Sequence, residues 1–206
     1  MPQDSLVERS RAPRAAFFQE HAELFAALSS KGQSPQILFI GCDDSRVIPE
    51  AITGARPGDL FVLRVIANIV PPYGTGERAV GATLEYAVRY LKVQHIVICG
   101  HTDCGGIAAL DVHPDQLYEP HLARWVEYAR PAQTQVDARG VDPDARHRAI
   151  VEQNVLLQME NLRTYDPVRQ VLEAGELALH GWVYDLSSGR ISYWDADEGR
   201  FLSETE

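Results

Sequence analysis

The sequence is poor in cysteine and has no long apolar run. Its 206 residues include three cysteines, which cannot all pair with one another, and a reducing compartment would keep them as thiols. No stretch approaches the roughly 20 apolar residues that a membrane-spanning helix needs. The N-terminus, with Asp4 and Glu8 among its first residues, lacks the apolar core of a signal peptide. We therefore expect a cytoplasmic protein without a membrane partner.

Basic residues are also few. The chain has 19 Lys and Arg against 29 Asp and Glu, a formal net charge of -10, and its cations are scattered along the sequence. This distribution argues against a nucleic-acid partner or an anionic membrane surface. A Cys-x-x-Cys pair is absent as well, which disfavours a thiol redox protein. The remaining composition, 45% hydrophobic and 23% charged, is typical of a globular protein with one buried core.

Short apolar runs alternate with helical patterns along the chain. Ile37–Ile40, Leu60–Val65 and Gln94–Cys99 read as strands buried on both faces, which is typical of a parallel sheet covered by helices. The pattern therefore predicts an α/β fold with a central, mainly parallel sheet flanked by helices. Further helices are predicted over Ala79–Leu91, Pro120–Ala129, Ala145–Leu162 and Asp166–Ala174, and further strands over Leu177–Tyr184 and Arg190–Trp194, joined by a turn at Ser187–Gly189.

The first 30 residues form a separate helical region in this interpretation. Residues 6–28 carry the apolar spacing of an amphipathic helix, and Pro13 is expected to break or kink it into two pieces. We accordingly divide the chain into an N-terminal helical arm over residues 1–30 and a single α/β domain over residues 31–206.

Two short segments carry most of the chemistry. Cys42 follows the strand Ile37–Ile40, and His101 with Cys104 follows the strand Gln94–Cys99. Ligands of open α/β sheets bind beyond the carboxyl ends of strands, so the two segments are expected to meet. Two thiolates and an imidazole favour zinc, and three protein ligands would leave its fourth position open, as in catalytic sites. The alternative is a chance grouping of two buried thiols and a loop histidine.

Asp44 and Arg46 form the second element of this pattern. A carboxylate two residues from a zinc thiolate can bind the metal itself or stand back from it. The Arg46 guanidinium can pair with the carboxylate through two hydrogen bonds and keep it ionised. An ordinary structural ion pair at a strand end is the alternative.

The remaining cysteine and histidines are expected to have structural roles. Cys99 lies within an apolar run and reads as a buried strand residue. His95 and His180 lie in or beside apolar strands and read as core histidines. Most of the others are expected at the surface: His21, His113, His121 and His147.

The segments Cys42–Arg46 and His101–Gly106 together closely resemble the β-class carbonic anhydrases. The likeness runs from about residue 31 to about residue 200 and is specific to that family. It extends through Pro57–Phe61, Ala67–Pro72, Gly81–Tyr86 and His180–Tyr184.

The resemblance implies reversible hydration of carbon dioxide to bicarbonate and a proton through zinc-bound hydroxide. It assigns Cys42, His101 and Cys104 as the Zn²⁺ ligands. Asp44 would accept a hydrogen bond from the hydroxide, and Arg46 would hold Asp44 away from the metal. In some members of the family Asp44 becomes the fourth ligand in a closed, inactive state.

The resemblance also implies a substrate pocket and an assembly. The family forms homodimers or larger even assemblies such as homotetramers, with active sites at subunit interfaces, and the N-terminal arm is expected to pack on a neighbouring subunit. Without the family, the apolar pocket residues would read as ordinary packing. The predicted substrate-binding residues are Gln33, Phe61, Ile66, Tyr86 and Gly105.

Some positions depart from the family's pattern. Certain bacterial members bind inhibitory bicarbonate through a Trp, an Arg and a Tyr. Arg64 and Tyr184 match two of these positions, but Phe39 stands at the third and has no indole N–H to donate. We therefore predict the plant-like type, without that switch. The effects of Val65, Asp43 and Asp103 stay open, since the two acids either raise the basicity of the site or point to solvent.

Two alternative functions retain the same zinc site. Relatives of this fold hydrolyse carbon disulfide or carbonyl sulfide with the same zinc chemistry. A non-catalytic zinc-binding homologue is the other alternative, although such a protein would be expected to lack Asp44 or Arg46, and both are present.

Overall fold

A computed structural model describes residues 3–112, 116 and 119–204 of the chain. The described residues form one sheet with the strand order β2-β1-β3-β4-β5-β6. The first four strands in this order pair in parallel, and the last two are added antiparallel. The predicted α/β fold with a mainly parallel sheet is confirmed. The strands are β1 (Ile37–Gly41), β2 (Leu60–Arg64), β3 (His95–His101), β4 (Ala178–Tyr184), β5 (Ile191–Asp195) and β6 (Arg200–Ser203).

Helices cover the sheet and connect its parallel strands. In the described residues, no helix is long and apolar enough to cross a membrane. The helices are α1 (Gln3–Glu20), α2 (Ala22–Lys31), α3 (Pro49–Thr53), α4 (Arg78–Glu85), α5 (Gly105–Ala108), α6 (Pro120–Val126), α7 (Arg130–Ala138), α8 (Pro143–Arg163) and α9 (Asp166–Glu173).

The central strands are buried on both faces because side chains alternate across a strand. One face of β1 and β3 packs Leu38 and Ile98 into the large core shared with α4, α8 and α9. The opposite face packs Phe39, Val97 and Cys99 into a smaller cluster. Strand β2 differs from the prediction, since it lies at the sheet edge and its residues are half-buried or exposed. An edge strand has a neighbour on one side only, which leaves its flank uncovered.

The expected break at Pro13 is wrong. Helix α1 runs through Pro13 to Glu20, and the interruption falls at His21, where α2 begins one residue later. Proline removes one main-chain hydrogen bond and crowds the preceding turn, but here the helix continues on both sides of it. Phe17 and Phe18 of α1 contact Phe25 of α2, yet they remain 45% and 51% exposed.

Four elements were not predicted: the short helices α3 and α5, helix α7 and strand β6. Helix α7 begins directly after the 3₁₀ turn Glu127–Ala129, and it buries only a few side chains, so its apolar pattern is weak. Strand β6 has four residues and pairs only with β5. In the tight turn before it, Asp195 accepts hydrogen bonds from the backbone N–H groups of Asp197 and Glu198.

Cys99 is completely buried, as predicted. Burial raises the pKa of its thiol to about 12, which keeps it protonated. His95 and His180 are half-buried, and His95 Nδ1 lies 3.1 Å from His180 Nε2. His121 is exposed and His21 is half-buried, whereas His113 lies outside the described residues.

The contact between His95 and His180 leads to a prediction about stability in acid. Burial, together with the nearby His95, lowers the pKa of His180 below its ordinary value of 6.5. As the pH falls below 6.5, the unfolded chain binds a proton at this histidine before the folded chain does, so stability is lost. The denaturant concentration at the unfolding midpoint should therefore fall less between about pH 7 and pH 5 in His180→Gln than in the wild type.

The matched control is His121→Gln, which changes an exposed histidine. Chemical denaturation of both variants and the wild type at several pH values measures the effect. An identical acid dependence in His180→Gln and the wild type would contradict this account of the pair.

Candidate metal centre

The carboxyl ends of β1 and β3 bring three potential metal ligands together. Gly41, the last residue of β1, pairs with Cys99 of the adjacent β3. Cys42 follows immediately on one strand, and His101 ends the other. The ligand atoms of Cys42, His101 and Cys104 lie within 4.8 Å of one another, and all three residues are buried. The two sequence segments therefore meet as predicted.

His101 is oriented for metal binding. Its Nδ1 lies 2.8 Å from the carbonyl oxygen of Thr102. A carbonyl only accepts, so Nδ1 carries the proton and Nε2 presents its lone pair to the thiols. Nε2 is buried and has no hydrogen-bond partner among the described residues. A buried nitrogen without a partner is costly, and a metal ion at this position would satisfy it.

The two neighbouring thiols shift each other's pKa in opposite directions. A hydrogen bond with Cys104 is the main cause that lowers the pKa of Cys42 below its ordinary value. The same hydrogen bond, with burial, raises the pKa of Cys104 well above its ordinary range. A second negative charge beside the first is unfavourable until a cation compensates it. This donor set fits zinc, whose binding would displace the remaining proton.

Asp44 is bound by Arg46 rather than by the ligand cluster. Its Oδ1 accepts from the Arg46 backbone N–H and from Nε, both at 2.9 Å, and its Oδ2 accepts from Nη2 at 2.7 Å. These contacts hold the pKa of Asp44 far below its usual range. Oδ2 lies 3.9 Å from His101 Nε2, so the carboxylate stands beside the metal position without belonging to the group of three.

Arg64 holds the backbone of the loop that carries Cys42 and Asp44. Its Nε donates to the carbonyl oxygen of Cys42 at 3.1 Å, and its Nη2 donates to that of Asp44 at 2.7 Å. Phe39 is completely buried, and Tyr184 packs partly buried against its cluster. The Arg64 guanidinium is therefore engaged with backbone in this structure.

The extra acids near the site face solvent. Asp43 and Asp103 are both exposed. Asp103 has a positive φ of 54°, a conformation that Asp tolerates better than most residues. Of the two possibilities raised by the sequence, the exposed position agrees with the acids pointing to solvent.

Ala67 contacts the site and was not singled out from the sequence. Its backbone N–H donates to Cys42 Sγ at 3.3 Å, and its backbone is left-handed, with φ 55° and ψ 31°. Gly106 explains how the loop comes so close. A Cβ at Gly106 would lie 2.9 Å from the Ala67 Cβ and 2.8 Å from Ile66 Cγ2. Neither contact has a sequence signal apart from the glycine.

The predicted substrate residues fall into two groups. Ile66 lines a cavity of about 370 Å³ that Asp43, Val65 and Trp125 also line. Gly105 directly follows the ligand Cys104, and the space beyond its Cα is open. These two residues lie next to the ligand segments.

The other group lies toward the opposite end of the sheet. Phe61 is the second residue of β2 and pairs with Leu38, four residues before Cys42. At about 3.3 Å per residue, that places it roughly 13 Å from Cys42 along the strand direction. Tyr86 contacts Phe61 with ring centroids 5.8 Å apart and is 45% exposed. Gln33 is exposed in the loop before β1.

Comparison with known proteins assigns the family. Residues 37–191 match the family model described as carbonic anhydrase. The solved structure of the β-carbonic anhydrase CcaA superposes with a TM-score of 0.90 at 35% sequence identity, covering 98% of this chain and 92% of that chain.

The chain belongs to the β-class carbonic anhydrases.

Other members of the family are similar along nearly the whole chain. A carbonic anhydrase of Pseudomonas aeruginosa is 45% identical over 92% of this chain and 86% of that protein. A tetrameric β-carbonic anhydrase from Sordaria macrospora is 32% identical with a TM-score of 0.81, covering 94% of this chain and 96% of that chain. The ligand cluster is thus found in a chain whose relatives are named as carbonic anhydrases.

Proposed function

We propose that this protein catalyses the reversible hydration of carbon dioxide to bicarbonate and a proton, with zinc held by Cys42, His101 and Cys104. The observation that carries the proposal is the combination of a three-ligand cluster with an adjacent carboxylate that is held by an arginine. Three protein ligands leave one position for a water molecule, as a catalytic zinc site requires. Family membership supports the same reaction.

Asp44 and Arg46 would have different roles beside the metal. Zinc in this site would act as a Lewis acid that makes a water molecule acidic near neutral pH. Asp44, ionised and 3.9 Å from His101 Nε2, would accept a hydrogen bond from that water and orient it. Arg46 would keep the carboxylate from becoming a fourth ligand, because its two hydrogen bonds occupy both carboxylate oxygens.

The surroundings suit a small nonpolar substrate. Ile66, Val65 and Trp125 provide apolar walls beside the ligand segment. Carbon dioxide carries no charge and is drawn to apolar surface, whereas bicarbonate is not. A pocket of this kind therefore favours entry of carbon dioxide and release of its charged product.

We propose further that the active site is completed by a second subunit. Phe61 and Tyr86 expose aromatic surface at a distance from the metal ligands of their own chain. Phe17 and Phe18 of α1 form a second apolar surface, because they stay 45% and 51% exposed although both rings contact Phe25 of α2. Apolar patches of this kind mark interfaces between proteins. Both are accounted for if the arm over residues 1–30 packs on a neighbour and Gln33, Phe61 and Tyr86 enter that neighbour's site.

The size of the assembly is proposed to be a homodimer or a homotetramer. The Sordaria macrospora enzyme is tetrameric, and even assemblies are built from isologous pairs. We also propose that the protein acts in the cytoplasm and belongs to the plant-like type, because Arg64 is engaged with the Cys42 and Asp44 carbonyls and Phe39 has no donor for bicarbonate. The alternatives based on sulfur substrates or a non-catalytic role gain no support from the relatives, which are named as carbonic anhydrases.

The central prediction concerns activity and metal content together. We expect the purified protein to contain one zinc per chain and to hydrate carbon dioxide in a stopped-flow assay between about pH 6 and pH 9. Activity should rise with pH, because the reacting water must lose a proton. Full zinc occupancy without hydration at any pH would reject the proposed reaction.

Arg46→Ala tests the role of the pair. Without the guanidinium, Asp44 is expected to swing onto the metal, and activity should fall by about a hundredfold because the reacting group is misplaced. Zinc content should stay the same. The matched control is Arg56→Ala, which removes an exposed ion pair with Asp59. A crystal structure of Arg46→Ala with Asp44 still turned away and water on the metal would contradict this role.

The subunit proposal is tested by making the α1 surface charged. Phe17→Glu combined with Phe18→Glu should lower the mass of the assembly measured by light scattering. In the proposed assembly a neighbouring subunit covers these two rings, and charged side chains would oppose that contact. Hydration activity should fall with the mass if the pocket needs both chains. Thr134→Glu, on the exposed side of α7, serves as the control. An unchanged mass in the double variant would show that α1 does not form the interface.

A further inference from the structure

A buried loop contacts both helix α8 and the metal ligand Cys42. Residues 65–73 follow β2, and within them Ala67, Ile69 and Val70 are completely inaccessible to solvent. Such a loop cannot satisfy its backbone with water, so every N–H and C=O needs a partner in the protein. The source of those partners decides what holds the loop in position.

Helix α8 supplies the partners through a row of amide side chains. Asn154, Gln158 and Asn161 are buried and follow the i, i+4, i+7 spacing of one helix face. Asn154 Nδ2 donates to the Ala67 carbonyl at 3.0 Å. Gln158 Oε1 accepts from the Val70 N–H at 2.9 Å, and Asn161 Nδ2 donates to the Val70 carbonyl at 2.9 Å.

The row has a fixed direction. The Val70 N–H can only donate, so Gln158 must turn its oxygen toward it. Gln158 Nε2 then donates to Asn154 Oδ1 at 2.7 Å, which leaves the Asn154 NH₂ group facing the Ala67 carbonyl. A backbone donor at one end and a backbone acceptor at the other thus set the orientation of both carboxamides.

The residue held by Asn154 is the one that touches a metal ligand. Ala67 donates its N–H to Cys42 Sγ at 3.3 Å and is in the left-handed region, at φ 55°. An alanine adopts this conformation only when its surroundings impose it. The Trp125 Nε1–H donates to the preceding carbonyl, that of Ile66, at 3.0 Å. The peptides on both sides of Ala67 are therefore anchored by side chains from other helices.

We propose that Asn154 is a positioning residue for the Cys42 sulfur, acting through Ala67. Its hydrogen bond holds the Ala67 backbone in the conformation that aims the N–H at the thiolate. This donation withdraws negative charge from the sulfur, so the thiolate gives less charge to a bound cation and leaves it a stronger Lewis acid. The inference rests on the proposed zinc site. It adds that α8, a helix that contributes no ligand, tunes the charge that the Cys42 thiolate gives to the metal.

The charge of the ligand set gives this contact its importance. Two thiolates formally neutralise a divalent zinc ion, which weakens its pull on water in comparison with an all-histidine site. A hydrogen bond to one thiolate partly restores that pull. Cys42 receives the Ala67 N–H, and the backbone of Cys42 is in turn fixed by Arg64.

The test compares two amide deletions on the same face of α8. In Asn154→Leu the Ala67 carbonyl loses its donor, while in Asn161→Leu the Val70 carbonyl loses its donor. Both remove a buried carboxamide, so both should lower the melting temperature. Only Asn154→Leu should shift the thiolate-to-metal charge-transfer band of the cobalt(II)-substituted protein to longer wavelength, because the Cys42 sulfur becomes a better electron donor. Its zinc affinity should nevertheless fall about tenfold, because the Ala67 N–H no longer holds the Cys42 sulfur in position.

A rescue variant separates positioning from general loosening of the fold. Glycine adopts the left-handed conformation without strain, so Ala67→Gly needs less support from Asn154. In the double variant Asn154→Leu with Ala67→Gly, the cobalt band should return toward its wild-type position. Asn154→Ala, which leaves room for a water molecule, replaces Asn154→Leu throughout if the leucine variant does not fold.

The outcomes are distinct. A cobalt band and a zinc affinity that are unchanged in Asn154→Leu, or changed equally in Asn161→Leu, would overturn the inference while leaving the proposed function intact. A wild-type protein that binds zinc and cobalt but does not hydrate carbon dioxide would reject the proposed function alone. Absence of metal binding by the wild type would overturn both.

Discussion

The parallel pairing of β1 with β3 is the constraint on which the rest of the structure depends. It sets Gly41 beside Cys99, so that Cys42 and His101 leave the same edge of the sheet as neighbours. Ligands that are far apart in sequence then need only short side chains to meet. Both strands are buried on both faces, so a shift of the register by one residue would exchange the side chains that face the large core with those that face the smaller cluster. The core and the metal position are therefore set by the same pairing.

The polar interactions around the site are arranged in layers from the metal position outward. Asp44 is fixed by Arg46, and the loop carrying both is fixed by Arg64 through backbone carbonyls. On the other side, the buried loop after β2 touches Cys42 through Ala67. Buried amides favour a single arrangement, because each lost partner leaves another group without one. This accounts for a loop of unusual conformation lying in a rigid core next to the site.

In the proposed function, one subunit carries the metal ligands and a second subunit completes the substrate pocket. The ligand cluster and its carboxylate are assembled within a single chain, whereas the aromatic pair of Phe61 and Tyr86 lies toward the other end of the sheet with exposed surface. The half-exposed rings of Phe17 and Phe18 on α1 support the same proposal. Catalysis and assembly are thus linked in the proposed function, since the group that shapes substrate access would come from another copy of the chain.

Residue chemistry and local patterning are properties of the sequence, and they were sufficient for the fold class, for most strands and for the choice of Cys42, His101 and Cys104 as one group. Local patterns could not place β2 at the sheet edge, since an edge position depends on which strands pair and not on the strand's own residues. Nor could they reveal that Asn154 supports Ala67, because that hydrogen bond joins residues far apart in the chain. Tertiary structure decided these features: the left-handed backbone of Ala67 and the direction of the amide row both follow from contacts that form only when distant segments pack together.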